Sequence, residues 1–155
     1  MKYYAGVGSR DTPDEIQRLM TKIATKLEHR EYILRSGGAE GADTAFEQGI
    51  QNPSNKEIFQ VFDYVPKLAF DIAKRIHPAW DKMGAYGKSA HARNICQIMG
   101  IKVDTPVEFV ICWTPGAKKV GGTRTAILFA EEKGIPVYNL ANTDQLKHVI
   151  FHIVN

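Results

Sequence analysis

Cysteine, net charge and long apolar runs are all scarce in this sequence. Its two cysteines, Cys96 and Cys112, lie apart in apolar contexts without a C-x-x-C motif or Cys/His metal spacing. This pattern argues against a zinc site and predicts buried thiols in a reducing compartment. No apolar run approaches the ~20 residues of a membrane span, and MKYYAGVGSR lacks the apolar core of a signal peptide. We therefore expect a cytoplasmic protein with no metal site and no membrane partner.

The net charge is also small. A formal charge of +3 results from 20 basic and 17 acidic residues that are interspersed along the chain. Nucleic-acid-binding domains usually carry a strongly basic stripe, so we do not expect a nucleic acid partner, whereas an anionic small molecule is compatible. With 155 residues, 44% of them hydrophobic and 24% charged, the chain is expected to form one domain over 1–155. No linker, repeat or low-complexity segment divides it.

Short apolar runs alternate with amphipathic segments along the whole chain. The runs 3–8, 32–38, 58–66, 109–115 and 135–140 predict strands, and the segments 11–30, 39–50, 123–134 and 141–155 predict helices. Residues 69–100 predict two more helices, interrupted near His77-Pro78, Gly84 and Gly87. This order predicts an α/β protein with a Rossmann-like, doubly wound, mainly parallel sheet and helices on both of its faces.

Turn residues indicate where several helices begin and end. Thr12 precedes Pro13, and Glu15 lies three residues beyond Thr12, which predicts an N-cap with a capping box. Gly49 and Gly134 are predicted to end the second helix and the helix before the last strand.

Three glycine-rich motifs follow predicted strands and lead into predicted helices. A helix N-terminus offers unpaired N–H groups and partial positive charge, and glycine lets an anion approach the backbone closely. In doubly wound sheets, ligands bind at the carboxyl ends of the strands, near a topological switch point. The motif residues predicted to bind a ligand are Gly8, Ser9, Arg10, Ser36, Gly37, Gly38, Glu40, Gly41, Asp43, Thr114, Gly121, Gly122 and Thr123.

Each motif could have a structural role instead of a role in ligand binding. Glycine is needed in a tight turn whether or not a ligand binds. Arg10 could clamp a phosphate or remain solvated, and Asp43 could accept hydrogen bonds from a ribose or complement a helix N-terminus. Thr123 could contact phosphate or cap its helix.

Two common nucleotide motifs are missing. The Gly6-x-Gly8 sequence lacks the third glycine of G-x-G-x-x-G, and the second predicted strand does not end in the acid that binds an adenosine ribose. No G-x-x-x-x-G-K-[ST] sequence is present. These absences disfavour an ordinary nicotinamide dehydrogenase and a P-loop nucleotide hydrolase.

The segments GSR, LRSGGAEGAD, HARNICQIMG, GGTRTA and GIPVYNL together resemble the SLOG superfamily. This group includes the DNA-processing protein Smf/DprA, the cytokinin-activating LOG phosphoribohydrolases and YspA/YpsA-like proteins. The resemblance covers nearly the whole chain and is closest to small stand-alone YspA-type proteins, many of them encoded by bacteriophages. It implies a Rossmann-like domain that binds nucleotides or nucleotide-derived ligands, frequently as a homo-oligomer, in the host cytoplasm if the protein is phage-encoded.

The resemblance also bears on catalysis. LOG enzymes cleave nucleoside monophosphates with an arginine and with the glutamate of P-G-G-x-G-T-x-x-E, but here Arg124 replaces the third glycine and Leu128 replaces the glutamate. The Arg93-Asn94 pair matches the arginine of the LOG M-H-x-R-K segment and an R-N pair in DprA. The resemblance thus implies that Arg93 and Asn94 bind the ligand. If the protein is a hydrolase, its catalytic candidates are Arg93, Glu40 and Asp43.

Aromatic residues outside the motifs leave two interpretations open. His77, Trp80, Asp81 and Tyr86 could form a lid in which an aromatic ring stacks on a base, or a packed loop. Trp113 could likewise belong to the core or form a platform for a base.

The glycine-rich motifs and the resemblance together predict a protein that binds a nucleoside monophosphate, an ADP-ribose or a cyclic-nucleotide signal. The resemblance to phage-encoded proteins further implies that it could sequester a defence signal. The first alternative is a LOG-like N-glycosidase, and the second is DprA-like binding of single-stranded DNA. No separate cofactor is expected. The base, the number of phosphates, the fate of the ligand and the number of subunits stay open.

Overall fold

The computed structural model describes all 155 residues and contains one five-stranded sheet. The strands are β1 (Lys2–Gly6), β2 (Tyr32–Ser36), β3 (Lys56–Ile58), β4 (Val110–Cys112) and β5 (Val137–Asn139). All neighbouring strands pair in parallel, in the order β3-β2-β1-β4-β5. The predicted sheet is therefore confirmed and is parallel throughout.

Six α-helices cover the two faces of the sheet. They are α1 (Asp14–His29), α2 (Ala42–Gln48), α3 (Lys67–Ile76), α4 (Ala85–Met99), α5 (Arg124–Glu132) and α6 (Thr143–Val149), which continues as a π-helical turn (Ile150–Val154). Short 3₁₀ turns occur at Pro53–Asn55, Trp80–Lys82, Pro115–Ala117 and Gly121–Thr123. This arrangement confirms the Rossmann-like, doubly wound fold. None of the helices is both long and apolar enough to cross a bilayer.

Each face of the sheet contributes to a separate buried cluster. Tyr4 and Ile111 pack with α1, α2 and the C-terminal helix, whereas Ala5 and Cys112 pack with α3, α4 and α5. Successive side chains of a strand point to opposite faces, so the near-continuous apolar runs of β1 and β4 serve both clusters. Burial raises the pKa of the Cys112 thiol to about 12.

The third strand is shorter and earlier than the predicted 58–66. Only Lys56–Ile58 pairs with β2, and the chain then turns, with the Asp63 N–H donating to the Gln60 carbonyl (3.0 Å). Phe59 and Val65 are buried on either side of this turn. The apolar residues of the segment therefore anchor a loop rather than extend an edge strand, and that part of the prediction is wrong.

The start of α1 also differs from the prediction. Pro13 occupies the N-cap position, and no side chain caps the helix. The Thr12 hydroxyl donates instead to the Ser9 carbonyl (2.7 Å), so Thr12 fixes the loop after β1. The predicted helix ends at Gly49 and Gly134 agree with the structure, because α2 ends at Gln48 and Gly134 adopts a left-handed conformation two residues after α5.

Candidate functional site

The sheet has its topological switch point between β1 and β4. From β1 the chain adds β2 and β3 on one side, and it then returns to place β4 and β5 on the other side. The loops that follow β1 and β4 consequently diverge, which opens a crevice at the carboxyl ends of these strands. A cavity of about 550 Å³ occupies this position.

The cavity is formed by the loops after β1, β2 and β4 and by one face of α4. Its volume lies within the range of roughly 300 to 1,000 Å³ that is typical of ligand pockets. The lining residues are Val7, Gly8, Ser9, Arg10, Asp11, Ala39, Asp43, Tyr86, Ala90, Arg93, Asn94, Gln97, Pro115, Val120, Gly121, Gly122 and Thr123.

The predicted ligand residues divide into two groups. Those that line the cavity are Gly8, Ser9, Arg10, Asp43, Arg93, Asn94, Gly121, Gly122 and Thr123. Those that lie outside its lining are Ser36, Gly37, Gly38, Glu40, Gly41 and Thr114. All three glycine-rich motifs therefore reach the same crevice, but only some of their residues face it.

The residues of the second group have structural contacts. The Ser36 hydroxyl donates to the Gly6 carbonyl (2.6 Å), which ties β2 to β1. The Thr114 hydroxyl accepts from the Asn139 amide (2.7 Å), and Glu40 is exposed. Of the three catalytic candidates, Arg93, Glu40 and Asp43, Glu40 is thus the one that lies outside the cavity lining.

Gly41 allows the second loop to pack against the first. Its φ of +85° lies in a region that other residues rarely adopt, and a Cβ there would be 2.7 Å from both the Arg10 Cα and the Ser9 carbonyl oxygen. The Ala42 N–H donates to the same Ser9 carbonyl (3.3 Å). The glycine therefore brings the loop after β2 onto the Ser9-Arg10 loop rather than onto a ligand.

Asp43 is a buried carboxyl in the first turn of α2. Burial raises its pKa to about 6, against the opposing influence of the Arg93 charge and of nearby backbone N–H groups. The Ala39 N–H donates to Oδ2 (3.3 Å), whereas Oδ1 has no hydrogen-bond partner. Asp43 can therefore gain or lose a proton close to neutral pH.

Arg93 on α4 joins two loops of the site. Its Nη1 donates to the Gly37 carbonyl (2.6 Å) and to the Phe59 carbonyl (3.0 Å), while its Nε has no partner. The side chain is buried beside Asp43. Arg93 thus has a structural role in addition to the ligand role that the resemblance implies.

Unpartnered buried polar atoms are concentrated around this cavity. Five buried side-chain atoms lack a hydrogen bond, and three of them belong to lining residues: Asp43 Oδ1, Arg93 Nε and Gln97 Oε1. Buried polar atoms normally have partners, and each exception calls for an explanation. These three atoms have almost no exposed surface, so a ligand in the cavity would reach them only if the lining moved.

The third loop presents backbone donors. Gly121–Thr123 forms a 3₁₀ turn that leads directly into α5, and the N–H groups of these residues donate to no loop carbonyl. The Asn94 amide donates to the Gly122 carbonyl (2.6 Å), which fixes the turn against α4. The first N–H groups of a helical segment lack internal acceptors and attract anions.

The structure shows which of the aromatic residues with two possible roles belong to the core and which line the cavity. Trp80 is buried in the core and packs edge-on against Phe70, with ring centroids 6.4 Å apart. Trp113 is half-buried and packs against the other core cluster. Tyr86 alone among them lines the cavity, and it is 63% exposed.

Several lining residues were not predicted. Gln97 and Ala90 lie on α4 with Tyr86, Arg93 and Asn94. Their spacing of three or four residues places them on one helix face, and this periodicity, extended from Arg93-Asn94, could have identified them. Ala39, Asp11 and Val120 flank the glycine motifs and carry no distinguishing signal.

Comparison with known proteins gives no family, relative or fold neighbour for this chain. No family model, no curated protein and no solved structure matches it. The function must therefore be argued from the geometry of the site.

Proposed function

We propose that this protein binds a nucleotide or a nucleotide-derived anion in the cavity at the β1/β4 switch point. The observation that supports this proposal is the convergence of three glycine-rich loops and the buried Asp43–Arg93 pair on one crevice. The candidate ligands are a nucleoside monophosphate, an ADP-ribose and a cyclic nucleotide. The proposal includes membership of the SLOG superfamily.

The phosphate of such a ligand is best accommodated between the first and third loops. Arg10 is exposed at the cavity and supplies a positive charge, and Ser9 supplies a hydroxyl. The N–H groups of Gly121 and Gly122 add backbone donors on the other side. Arginine and backbone N–H groups are the donors that proteins commonly use for phosphate.

Binding without turnover is the form of this proposal that we favour. Leu128, which stands at the position of the LOG glutamate, does not line the cavity, and neither does Glu40. A protein that holds a nucleotide intact would suit the sequestration of a signalling molecule.

One observation favours N-glycosidase activity as a second candidate. Asp43 is the one buried carboxyl in the lining, and its pKa of about 6 would let it exchange a proton with a substrate near neutral pH. Cleavage of a glycosidic bond requires a carboxyl group of this kind near the reacting carbon or the leaving base.

The first test combines binding with product analysis. Purified protein is titrated by calorimetry with nucleoside monophosphates, ADP-ribose, NAD and cyclic nucleotides, and each mixture is then separated by chromatography. We expect at least one of these compounds to bind and to be recovered intact. Release of free base with ribose 5-phosphate would instead support the hydrolase, and the absence of any binding would refute the proposed function.

A charge placed in the third loop tests the location of the site. A Cβ on Gly122 meets no atom within 4 Å, so Gly122→Asp should fold normally while it places a carboxylate beside the phosphate position. We expect it to weaken binding about tenfold or more, because like charges repel strongly in a binding site. Gly84→Asp is the matched control, since Gly84 has equally open surroundings and does not line the cavity. Equal affinities for the two variants would place the ligand elsewhere.

A further inference from the structure

One face of α4 lines the cavity, and the type of side chain on this face changes along the helix. Tyr86 stands in its first turn, Ala90 follows one turn later, and Arg93, Asn94 and Gln97 follow in the next two turns. This face therefore changes from aromatic to small to polar along the helix. Tyr86 is the one aromatic residue in the lining.

The distance along this face exceeds the size of a phosphate group. Tyr86 and Asn94 are eight residues apart, which corresponds to about 12 Å along a helix. Asn94 donates to the Gly122 carbonyl and therefore marks the level of the third loop. A ligand whose phosphate lies near Gly122 must carry another group if it is to reach the ring of Tyr86.

Ala90 leaves space between these two ends. It lies one turn after Tyr86 on the same face and lines the cavity. Since alanine has only a methyl side chain, no bulky group at this position competes with a ligand beside the aromatic ring.

Phe62 supports the ring of Tyr86 from outside the cavity. The two rings meet edge to face, with centroids 5.8 Å apart and planes at 75°. Phe62 has a φ of +70°, and its N–H donates to the Ser89 hydroxyl (2.7 Å), which fixes the loop to α4. A non-glycine residue in this region is strained.

Burial does not account for the contact between these two rings. Phe62 is 66% exposed and Tyr86 is 63% exposed, so folding gains little from burying either ring. Exposed aromatic rings at the edge of a cavity are a feature of ligand sites.

We propose that Tyr86, supported by Phe62, forms the base subsite of this cavity, where an aromatic base stacks on the tyrosine ring. This inference rests on the proposed function and assigns an orientation to the ligand, with the phosphate at the Gly121–Thr123 turn and the base at the mouth. Stacking tolerates any base because every base has a π-face. The subsite therefore selects for the presence of a base rather than for its identity.

The test compares ligands with and without a base. Wild-type protein, Tyr86→Ala and Tyr86→Phe are titrated by calorimetry with nucleoside monophosphates, ADP-ribose and cyclic nucleotides, and with ribose 5-phosphate as the ligand without a base. Tyr64→Ala is the matched control, because Tyr64 is 78% exposed and lies outside the lining. Thermal unfolding of each variant checks that the fold is retained.

We expect Tyr86→Ala to weaken nucleotide binding about 5- to 150-fold, which is the range that loss of one stacked base implies. Its affinity for ribose 5-phosphate should equal that of wild type. Tyr86→Phe should retain nucleotide affinity because stacking needs the ring and not the hydroxyl, and Tyr64→Ala should behave as wild type.

Other results have distinct meanings. If wild-type protein binds nucleotides and Tyr86→Ala binds them equally well, the base subsite is wrong and the proposed function stands. Equal losses in Tyr86→Ala and Tyr86→Phe would also overturn the inference, since the hydroxyl would then carry the contact. If wild type binds neither nucleotides nor ribose 5-phosphate, the proposed function itself fails.

Discussion

Asp43 and Glu40 are only three residues apart, yet they occupy different environments. Asp43 is buried in the first turn of α2 and lines the cavity, whereas Glu40 is exposed on the preceding turn. Sequence reasoning named both as candidates because both belong to the same glycine-rich motif. Which carboxyl faces the crevice depends on how the loop turns at Gly41, and that turn is set by its packing on the Ser9-Arg10 loop.

The burial of Asp43 predicts a specific dependence of stability on pH. Its pKa is about 6 in the folded protein and 3.8 in the absence of burial, so between these values the folded protein retains a proton that the unfolded chain releases. The stability contributed by the protonated carboxyl is therefore complete below about pH 4, falls as the pH rises, and is lost above about pH 6. The difference between the two pKa values corresponds to about 3 kcal/mol.

Asp43→Asn should remove this dependence, because asparagine keeps the shape of the side chain and does not ionise. Urea unfolding of both proteins from pH 4 to pH 7.5 measures the effect. The stability of the variant relative to wild type should increase by roughly 2–3 kcal/mol across this interval. Asp11→Asn is the control, because it changes an exposed carboxyl in the same lining. Its free energy of unfolding is expected to change with pH in parallel with that of wild type. Parallel curves for Asp43→Asn as well would show that folding does not raise the pKa of Asp43.

At the scale of elements, the site depends on contacts between the loop after β2 and its neighbours. Gly41 packs on the loop after β1, and Arg93 of α4 donates hydrogen bonds to the carbonyls of Gly37 and Phe59. Sequence analysis located the strands, helices and glycine turns that meet here, because each follows from local pattern. The local pattern could not distinguish glycines that pack loops together, such as Gly41, from glycines that line the cavity, such as Gly122. That distinction depends on which part of the backbone packs against each glycine.

Gly41→Ala tests the contact between these loops. The variant should lose stability because φ +85° and ψ −120° at Gly41 form a conformation that other residues rarely adopt, at about 1–3 kcal/mol. Overlap with the Arg10 and Ser9 backbone should add roughly 1–3 kcal/mol. Gly134→Ala is the matched control, because Gly134 has a φ of +71° and no atom within 4 Å of a Cβ. Chemical unfolding should show a larger loss for Gly41→Ala. Equal losses of stability in Gly41→Ala and Gly134→Ala would mean that the loops after β1 and β2 can move apart without loss of stability.

At the scale of the whole molecule, the sheet lies between two buried clusters and contributes side chains to both. The two tryptophans of the chain report on different sides, since Trp80 belongs to the cluster beneath α3 and α4 and Trp113 packs against the cluster beneath α1 and α2. β1 and β4 contribute residues to both clusters. One side should therefore not unfold without the other.

Single-tryptophan variants test this coupling. In Trp113→Phe the fluorescence reports on Trp80, and in Trp80→Phe it reports on Trp113. Within each variant, the fluorescence transition in urea should coincide with the transition in far-ultraviolet circular dichroism, as two-state unfolding of a single domain requires. Separate midpoints in either variant would show that the two layers unfold independently and would contradict a single domain over 1–155.

The sequence by itself determined the parallel α/β sheet, the helices on both of its faces and the position of three glycine-rich turns at the carboxyl ends of strands. These features follow from apolar periodicity and turn residues, which act over a few neighbouring positions. The tertiary structure decided that β3 is short, that Thr12 fixes the loop after β1 and that Ser36 ties β2 to β1. It also decided that Glu40 lies outside the cavity lining and that Tyr86 belongs to it. Contacts between residues far apart in the chain, such as Arg93 with Gly37, produce these outcomes, and no local pattern encodes them.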